Sequence, residues 1–71
     1  MRKFAERLRE LRTENKISIE KLSELTGIGS ASISRWENNL ADIRSDQLII
    51  LAKYFDVSTD YLLGLVDFLR Y

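Results

Sequence analysis

Arg35 lies in the stretch SASISRWENN, which begins at Ser30, and it is the one strong reader of bases that this stretch offers. A guanidinium can donate two parallel hydrogen bonds to O6 and N7 of guanine in the major groove of DNA. Ala31 can contact a thymine methyl group, and the hydroxyls of Ser30 and Ser34 can reach a base or a phosphate. The chemistry available to this stretch is therefore recognition of base edges.

A helix over about residues 30–38 would place Ala31, Ser34, Arg35 and Asn38 on one face, with Ser30 at its edge, because each residue advances about 100° around the axis. Ile33 and Trp36 fall on the opposite face and are predicted core residues. Any solvent-exposed helix also tolerates a small polar face, so an ordinary surface is the alternative to base contact. For Arg35, the alternatives are a phosphate contact and a solvated side chain.

The residues before this stretch predict two more helices. Apolar residues recur at helical spacing over about residues 2–14 and indicate an amphipathic helix. Ser18 can cap a second helix over about 19–26, and Gly27 supplies the left-handed residue that ends it. The second and third helices, with the glycine turn between them, form the helix-turn-helix unit.

The residues after it predict two further helices and no strand. Ser45 is expected to cap a fourth helix that runs to about Phe55, with apolar residues at i, i+3, i+4 and i+7. Ser58 is expected to cap a fifth helix that ends before Gly64. We therefore predict an all-α fold with a compact five-helix core over residues 1–64.

Composition excludes most enzymes. The chain has 71 residues, which suits a single domain, and it contains no histidine and no cysteine. Disulfides, thiolate or imidazole metal sites, cysteine nucleophiles and Ser-His-acid relays are therefore impossible. No glycine run cradles a phosphate and no cluster of acids suggests catalysis, so we expect no enzyme activity, no cofactor, no metal and no small-molecule ligand.

Charge is balanced over the whole chain, with 11 basic and 11 acidic side chains, but it is unevenly distributed. Residues 1–16 carry six basic and three acidic side chains, whereas residues 39–71 carry three basic and five acidic ones. A polyanion would therefore have to meet one face of the molecule. No apolar run reaches the length of a membrane helix and none resembles a secretion signal, so we expect no membrane partner and a cytoplasmic location.

The segments RLRELR, SIEKLSELTGI, SISRWEN and LAKYFDVSTDYLLG occur in the order and spacing of the Cro and phage-repressor (XRE) family. The chain resembles this family over nearly its whole length. The resemblance implies a lambda-repressor-like five-helix domain that binds a double-stranded DNA operator, usually as a homodimer, and regulates transcription, here as a repressor in the bacterial cytosol or nucleoid or in a phage-infected host. It implies base contacts from Ser30, Ala31, Ser34 and Arg35, and a buried ion pair between Arg12 and Glu37.

Four residues are predicted to contact DNA phosphates: Ser18, Asn38, Asn39 and Arg44. Ser18 lies at a helix N-terminus, where backbone N–H groups and the helix dipole favour an anion, a placement that the family also uses. Asn38 and Asn39 follow the third helix, where amide groups can hold a phosphate. A helix C-cap is the alternative for these two asparagines.

The chain departs from the family pattern at several places, and two of the departures weaken the expected binding of phosphates. Ile19 stands where the family often has a phosphate-binding glutamine, and the loop after the third helix has Asp42 and only Arg44 where relatives carry several basic residues. We therefore expect a shallow salt dependence of DNA binding. Gly29 replaces the usual serine or threonine cap, so Ser30 is expected to take over capping and to be less free for bases.

The C-terminal tail, residues 65–71, is apolar and is a candidate dimer contact together with one residue of the fourth helix. The predicted interface comprises Ile50, Leu65, Val66, Phe68, Leu69 and Tyr71. A two-fold dimer would place two recognition helices about 34 Å apart, in successive major grooves of an inverted repeat. The alternative is that the tail closes the core against the first helix.

A second function remains open at the level of sequence. The same scaffold could serve as a protein-interaction module or an antitoxin-type partner with weak DNA binding. Ile19, Ala31, the acidic loop and the zero net charge favour that alternative.

Overall fold

The computed structural model describes residues 1–69, which contain five α-helices and no strand. The helices are α1 (Arg2–Glu14), α2 (Ile19–Thr26), α3 (Ser30–Glu37), α4 (Ser45–Phe55) and α5 (Thr59–Leu63). The predicted all-α architecture is confirmed, and α3 ends one residue earlier than expected. Among the described residues, no helix is long and apolar enough to cross a membrane.

The core takes at least one fully buried side chain from every helix, in the set Phe4, Leu8, Leu22, Ile33, Leu51 and Leu62. Trp36 is also buried, and its ring meets that of Phe4 edge to face, with 6.1 Å between the ring centroids. Edge-to-face contacts of this kind favour one relative orientation of the two helices that carry them. Since α3 packs against both α1 and α2, its apolar face is fixed inward and its polar face is left outside.

Two of the predicted helix caps are present and two are wrong. The hydroxyls of Ser18 and Ser58 accept hydrogen bonds from the backbone N–H groups three residues later, both at 3.0 Å. The prediction that Ser45 caps α4 is wrong, because the helix already includes Ser45 and the N-cap is Arg44. The N-cap of α3 is Gly29, so the expected capping by Ser30 is also wrong. Neither Arg44 nor Gly29 makes a side-chain cap bond.

The chain after α5 is irregular and folds back over the domain. The backbone N–H of Ser58 donates to the carbonyl of Leu69 at 2.7 Å, which ties this segment to the turn before α5. Residues 65–69 are therefore an ordered, non-helical segment. Tyr71, predicted as a dimer contact, lies outside the described residues.

Gly64 combines a left-handed backbone with a close approach to α1. Its φ is +82°, and a Cβ added there would lie 2.8 Å from Lys3 Cγ and closer still to Lys3 Cβ. Gly27, at the end of α2, has a similar φ of +76° but open space around the same position. The two glycines share the backbone constraint, and only Gly64 carries the steric one.

We expect Gly64→Ala to destabilise the domain more than Gly27→Ala. The left-handed backbone accounts for about 1–2 kcal/mol at either position, and displacement of α1 adds roughly 1–3 kcal/mol at Gly64. Urea denaturation of both variants measures the two losses, with Gly27→Ala as the matched control. Equal losses would contradict a close contact between α1 and the end of α5.

Candidate nucleic-acid interface

The polar face of α3 is open to solvent. Ser30, Ala31 and Arg35 are exposed and Ser34 is half-buried, whereas Ile33 and Trp36 on the other face are buried. Because Gly29 is the N-cap, the hydroxyl of Ser30 is not used in capping. The arrangement leaves small side chains around one long cation.

Arg35 is the one arginine on this face, and within residues 1–69 its side chain makes no hydrogen bond or ion pair. Its exposed guanidinium retains its full set of donors for an external acceptor. A planar donor fork of this kind suits a guanine edge or a phosphate equally in chemical terms. Because Arg35 lies on the outer face of α3 among small side chains, its guanidinium is accessible to an external partner.

The two asparagines predicted to contact phosphates each make a side-chain hydrogen bond within the protein. Asn38 is the C-cap, and its Nδ2 donates to the carbonyl of Ser34 at 2.8 Å. Asn39 has a left-handed backbone, and its Oδ1 accepts a hydrogen bond from the α-amino group of Met1 at 3.2 Å. Both side chains are exposed, and the side-chain nitrogen of Asn39 makes no hydrogen bond among residues 1–69.

The other two predicted phosphate contacts lie at helix N-termini. Ser18 is exposed at the start of α2, where the backbone N–H groups of the first turn carry the positive end of the helix dipole. Arg44 is the N-cap of α4, and its Nε lies 3.6 Å from the carboxylate of Asp46 in a solvent-exposed pair. This acid partly neutralises the one basic side chain of the loop before α4.

A buried carboxylate fixes α3 to α1. Glu37 has a side chain that is only 1% exposed, and Arg12 donates to its two oxygens, from Nε at 2.6 Å and from Nη2 at 2.9 Å. The third donor of Arg12, Nη1, binds the carbonyl of Ile17 at 2.9 Å. One guanidinium therefore joins α1, the turn before α2 and the end of α3.

Arg12 is protonated at neutral pH. The hydrogen bond to Glu37 raises the pKa of Arg12 above its ordinary value, and burial opposes this shift without overcoming it. Because folding raises the pKa of Arg12, its charge stabilises the folded domain fully at any pH below the unfolded-state pKa of arginine. This contribution is lost only as the pH rises through the pKa of Arg12 in the folded domain. Titration of Arg12 therefore does not break the pair at any pH near neutrality.

Sequence reasoning missed two arginines of α1. Arg9 lies 3.4 Å from Glu37 at both a carboxylate oxygen and the main-chain carbonyl, so it is a second, weaker partner of the buried acid. Arg7 is nearly buried and binds a carbonyl of α5 and one of the chain after it. A signal for Arg7 was available, because it stands three residues after Phe4 and four before Leu11 and so belongs to the apolar face.

A helix-turn-helix made of α2 and α3, in which the polar face of α3 is open to solvent, on a five-helix bundle, defines the class of this domain. A family model described as helix-turn-helix matches residues 8–62, and the chain belongs to this XRE-type helix-turn-helix family. Among residues 1–69, no group of side chains could hold a metal ion.

The chain is 42% identical over 64 residues to the HTH-type transcriptional regulator YobD of Bacillus subtilis, covering 90% of this chain and 57% of the relative. It is 34% identical over 60 residues to repressor protein C2 of Salmonella phage P22, covering 84% of this chain and 28% of the relative. The chain thus spans little more than half, or less, of these relatives.

A solved structure of the P22 c2 repressor in complex with a synthetic operator superposes with a TM-score of 0.82 at 32% identity. The match covers 89% of this chain and 96% of that chain. The fold assigned from the helix pattern is therefore shared with an operator-bound repressor.

Loss of the Glu37 charge should destabilise the domain strongly. Glu37→Gln leaves Arg12 charged and largely buried without a counter-ion, which we expect to lower the free energy of unfolding by about 3 kcal/mol. Glu6→Gln is the control, because Glu6 pairs with Arg2 at 3.7 Å in an exposed position, and its loss should be within about 0.5 kcal/mol. Urea denaturation compares the two variants, and similar small losses would refute the anchoring role of Glu37.

Proposed function

We propose that this chain is a sequence-specific, double-stranded-DNA-binding transcriptional regulator, and that it acts as a repressor. The observation that carries this proposal is the open polar face of α3, on which Arg35 has no partner among residues 1–69. The likeness to an operator-bound phage repressor supports it. Such a regulator acts where bacterial or phage DNA is accessible, in the cytosol or nucleoid.

In this proposal α3 enters the major groove with its exposed face towards the bases. Arg35 binds a guanine through its donor fork, and Ala31 meets a thymine methyl group. The hydroxyls of Ser30 and Ser34 bind nearby base edges, with Ser30 available because Gly29 takes the N-cap position. Three of the four contacts are short side chains, so α3 must approach the base pairs closely.

Phosphate contacts orient the domain on the duplex. The backbone N–H groups at the start of α2, beside Ser18, and the amides of Asn38 and Asn39 supply neutral donors on either side of α3. Arg44 supplies a charge that Asp46 reduces. Since few phosphates are neutralised by full charges, we expect a shallow dependence of affinity on salt concentration.

Selection of the purified protein against randomised duplex DNA tests the proposal. Enrichment of a defined sequence at moderate salt is the expected result. Failure of the folded protein to enrich any sequence would overturn the proposal and favour a protein-interaction module or antitoxin-type partner on the same scaffold.

We expect Arg35→Ala to weaken binding to the selected operator by roughly 5–150-fold, or about 1–3 kcal/mol, and to relax the preference at one guanine. Fluorescence anisotropy with the operator and with a duplex substituted at that guanine measures both effects. Lys53→Ala is the control, because it removes the same charge from an exposed site on α4. Equal losses in the two variants would mean that Arg35 contributes only net charge.

We also propose that the repressor binds as a homodimer, through the apolar residues around the chain after α5. Of the predicted interface, four large apolar side chains are at least two-fifths exposed: Ile50, Leu65, Phe68 and Leu69. Val66 is half-buried, so its side chain offers less area. Burial of such side chains in a two-fold interface would remove them from water and present two α3 helices to an inverted repeat.

Phe68→Ser is expected to raise the dissociation constant of the dimer at least about tenfold, because it removes apolar area from the interface. Sedimentation equilibrium over a concentration series measures this constant. Leu25→Ser is the control, since Leu25 is comparably exposed on α2 and lies outside the proposed interface. A wild-type protein that remains monomeric, or an equal effect of both variants, would contradict the dimer contact.

A further inference from the structure

Arg7 makes the most extensive set of side-chain contacts that the proposed DNA contacts leave unexplained. Its Nη1 donates to the carbonyl of Tyr61 at 2.6 Å and to that of Val66 at 2.5 Å, and its Nη2 lies 3.2 Å from Asp67 Oδ1. The guanidinium also lies over the ring of Tyr61, with Cζ 4.1 Å from the ring centroid. All of these partners lie 54 or more residues later in the chain.

These contacts join α1 to the chain on both sides of Gly64. The side chain of Arg7 is 11% exposed, whereas that of Asp67 is 99% exposed. The ion pair with Asp67 is therefore largely screened by water, and the two carbonyls and the ring are the contacts that retain Arg7 in the interior. They hold the main chain of the segment rather than its side chains.

Apart from half-buried Val66, the side chains of the held segment are exposed. Leu65 is 71% exposed and Phe68 is 55% exposed, although the segment itself is bonded at Val66 by Arg7 and at Leu69 by the N–H of Ser58. Holding this segment in one path costs conformational entropy, and its exposed apolar side chains do not repay that cost by leaving water. That ordering lowers the entropy lost on association, which is the benefit of a preorganised binding surface.

We propose that Arg7 is a positioning residue for the dimer contact: from α1, it holds residues 65–69 in the path that presents Leu65 and Phe68 to a second copy of this chain. The inference rests on the proposed homodimer. It adds that dimer affinity is set by a side chain that does not itself touch the partner.

Arginine suits this role because one planar group supplies donors in fixed directions and a flat face for the ring. Lysine in its place keeps the charge but lacks the fork and the extended plane. We therefore expect Arg7→Lys to retain part of the dimer affinity and Arg7→Met to lose more of it.

Hydrogen exchange at Ser58 reports the held state directly, because its N–H is bonded to the carbonyl of Leu69. In Arg7→Met, we expect the Ser58 amide to exchange at least about tenfold faster, while the exchange rate of the Ile33 amide, which is bonded to the carbonyl of Gly29 at the start of α3, changes only as much as global stability requires. Equal acceleration at both amides would show that Arg7 only stabilises the fold, and it would overturn the proposal.

Sedimentation equilibrium on the same variants supplies the second measurement. The dimer dissociation constant should rise at least about tenfold in Arg7→Met and less in Arg7→Lys, and the effect of Arg7→Met should not add to that of Phe68→Ser. Asp67→Asn is the matched control and should change the constant less than twofold. Should Arg7→Met not fold, Arg7→Lys combined with Phe68→Ser still tests non-additivity.

The outcomes separate the two proposals. A wild-type dimer whose affinity is unchanged in Arg7→Met, or additive effects of the Arg7 and Phe68 substitutions, would overturn the role of Arg7 alone. A monomeric wild-type protein would overturn the dimer and this inference together, while selection against duplex DNA would still decide DNA binding independently.

Discussion

The domain is organised around one buried carboxylate. Glu37 ends α3 with its carboxylate almost fully buried, and the charge is tolerated there because Arg12 binds both oxygens and Arg9 is a second, weaker partner. The edge-to-face contact of Phe4 with Trp36 favours one orientation of α1 and α3, but the aliphatic contacts between these helices are non-directional and would permit small slides. The bidentate ion pair of Arg12 with Glu37 has fixed donor and acceptor directions. The remaining nitrogen of Arg12, Nη1, donates to the turn before α2. This ion pair, together with the Phe4–Trp36 contact, therefore sets the orientation of the exposed face of α3 relative to the body of the domain.

Most of the architecture could be predicted from the sequence because helices reveal themselves locally. The apolar spacing of α1 and α4 and the serine and glycine signals of α2 and α5 depend on residues within a few positions of one another. The errors at Ser30 and Ser45 have the same origin, since a serine just inside a helix has the same sequence signature as one that caps it. The path of the preceding chain decides between them, and that path is a tertiary property.

The candidate nucleic-acid interface could be predicted as far as it depends on which face of α3 is apolar. Ile33 and Trp36 determine the inward side, and Arg35 then has only the outward one. The contacts of Arg7 and Arg9 could not be found in the same way, because their partners lie 28 to 60 residues away. For Arg7 the difficulty is greater, since two of its acceptors are main-chain carbonyls. A carbonyl is common to all residue types, so nothing at positions 61 or 66 marks them as partners.

The main-chain character of these acceptors bears on how the surface beside them can be altered. Carbonyl oxygens remain when side chains are exchanged, so residues 65, 68 and 69 can be replaced without removing the bonds that Arg7 makes to Tyr61 and Val66. The main chain of residues 65–69 can then keep its path while the side chains at positions 65, 68 and 69 are varied. Under the proposed dimer contact, libraries at these three positions can be selected for copies that pair with each other in preference to themselves, on an unchanged helical scaffold.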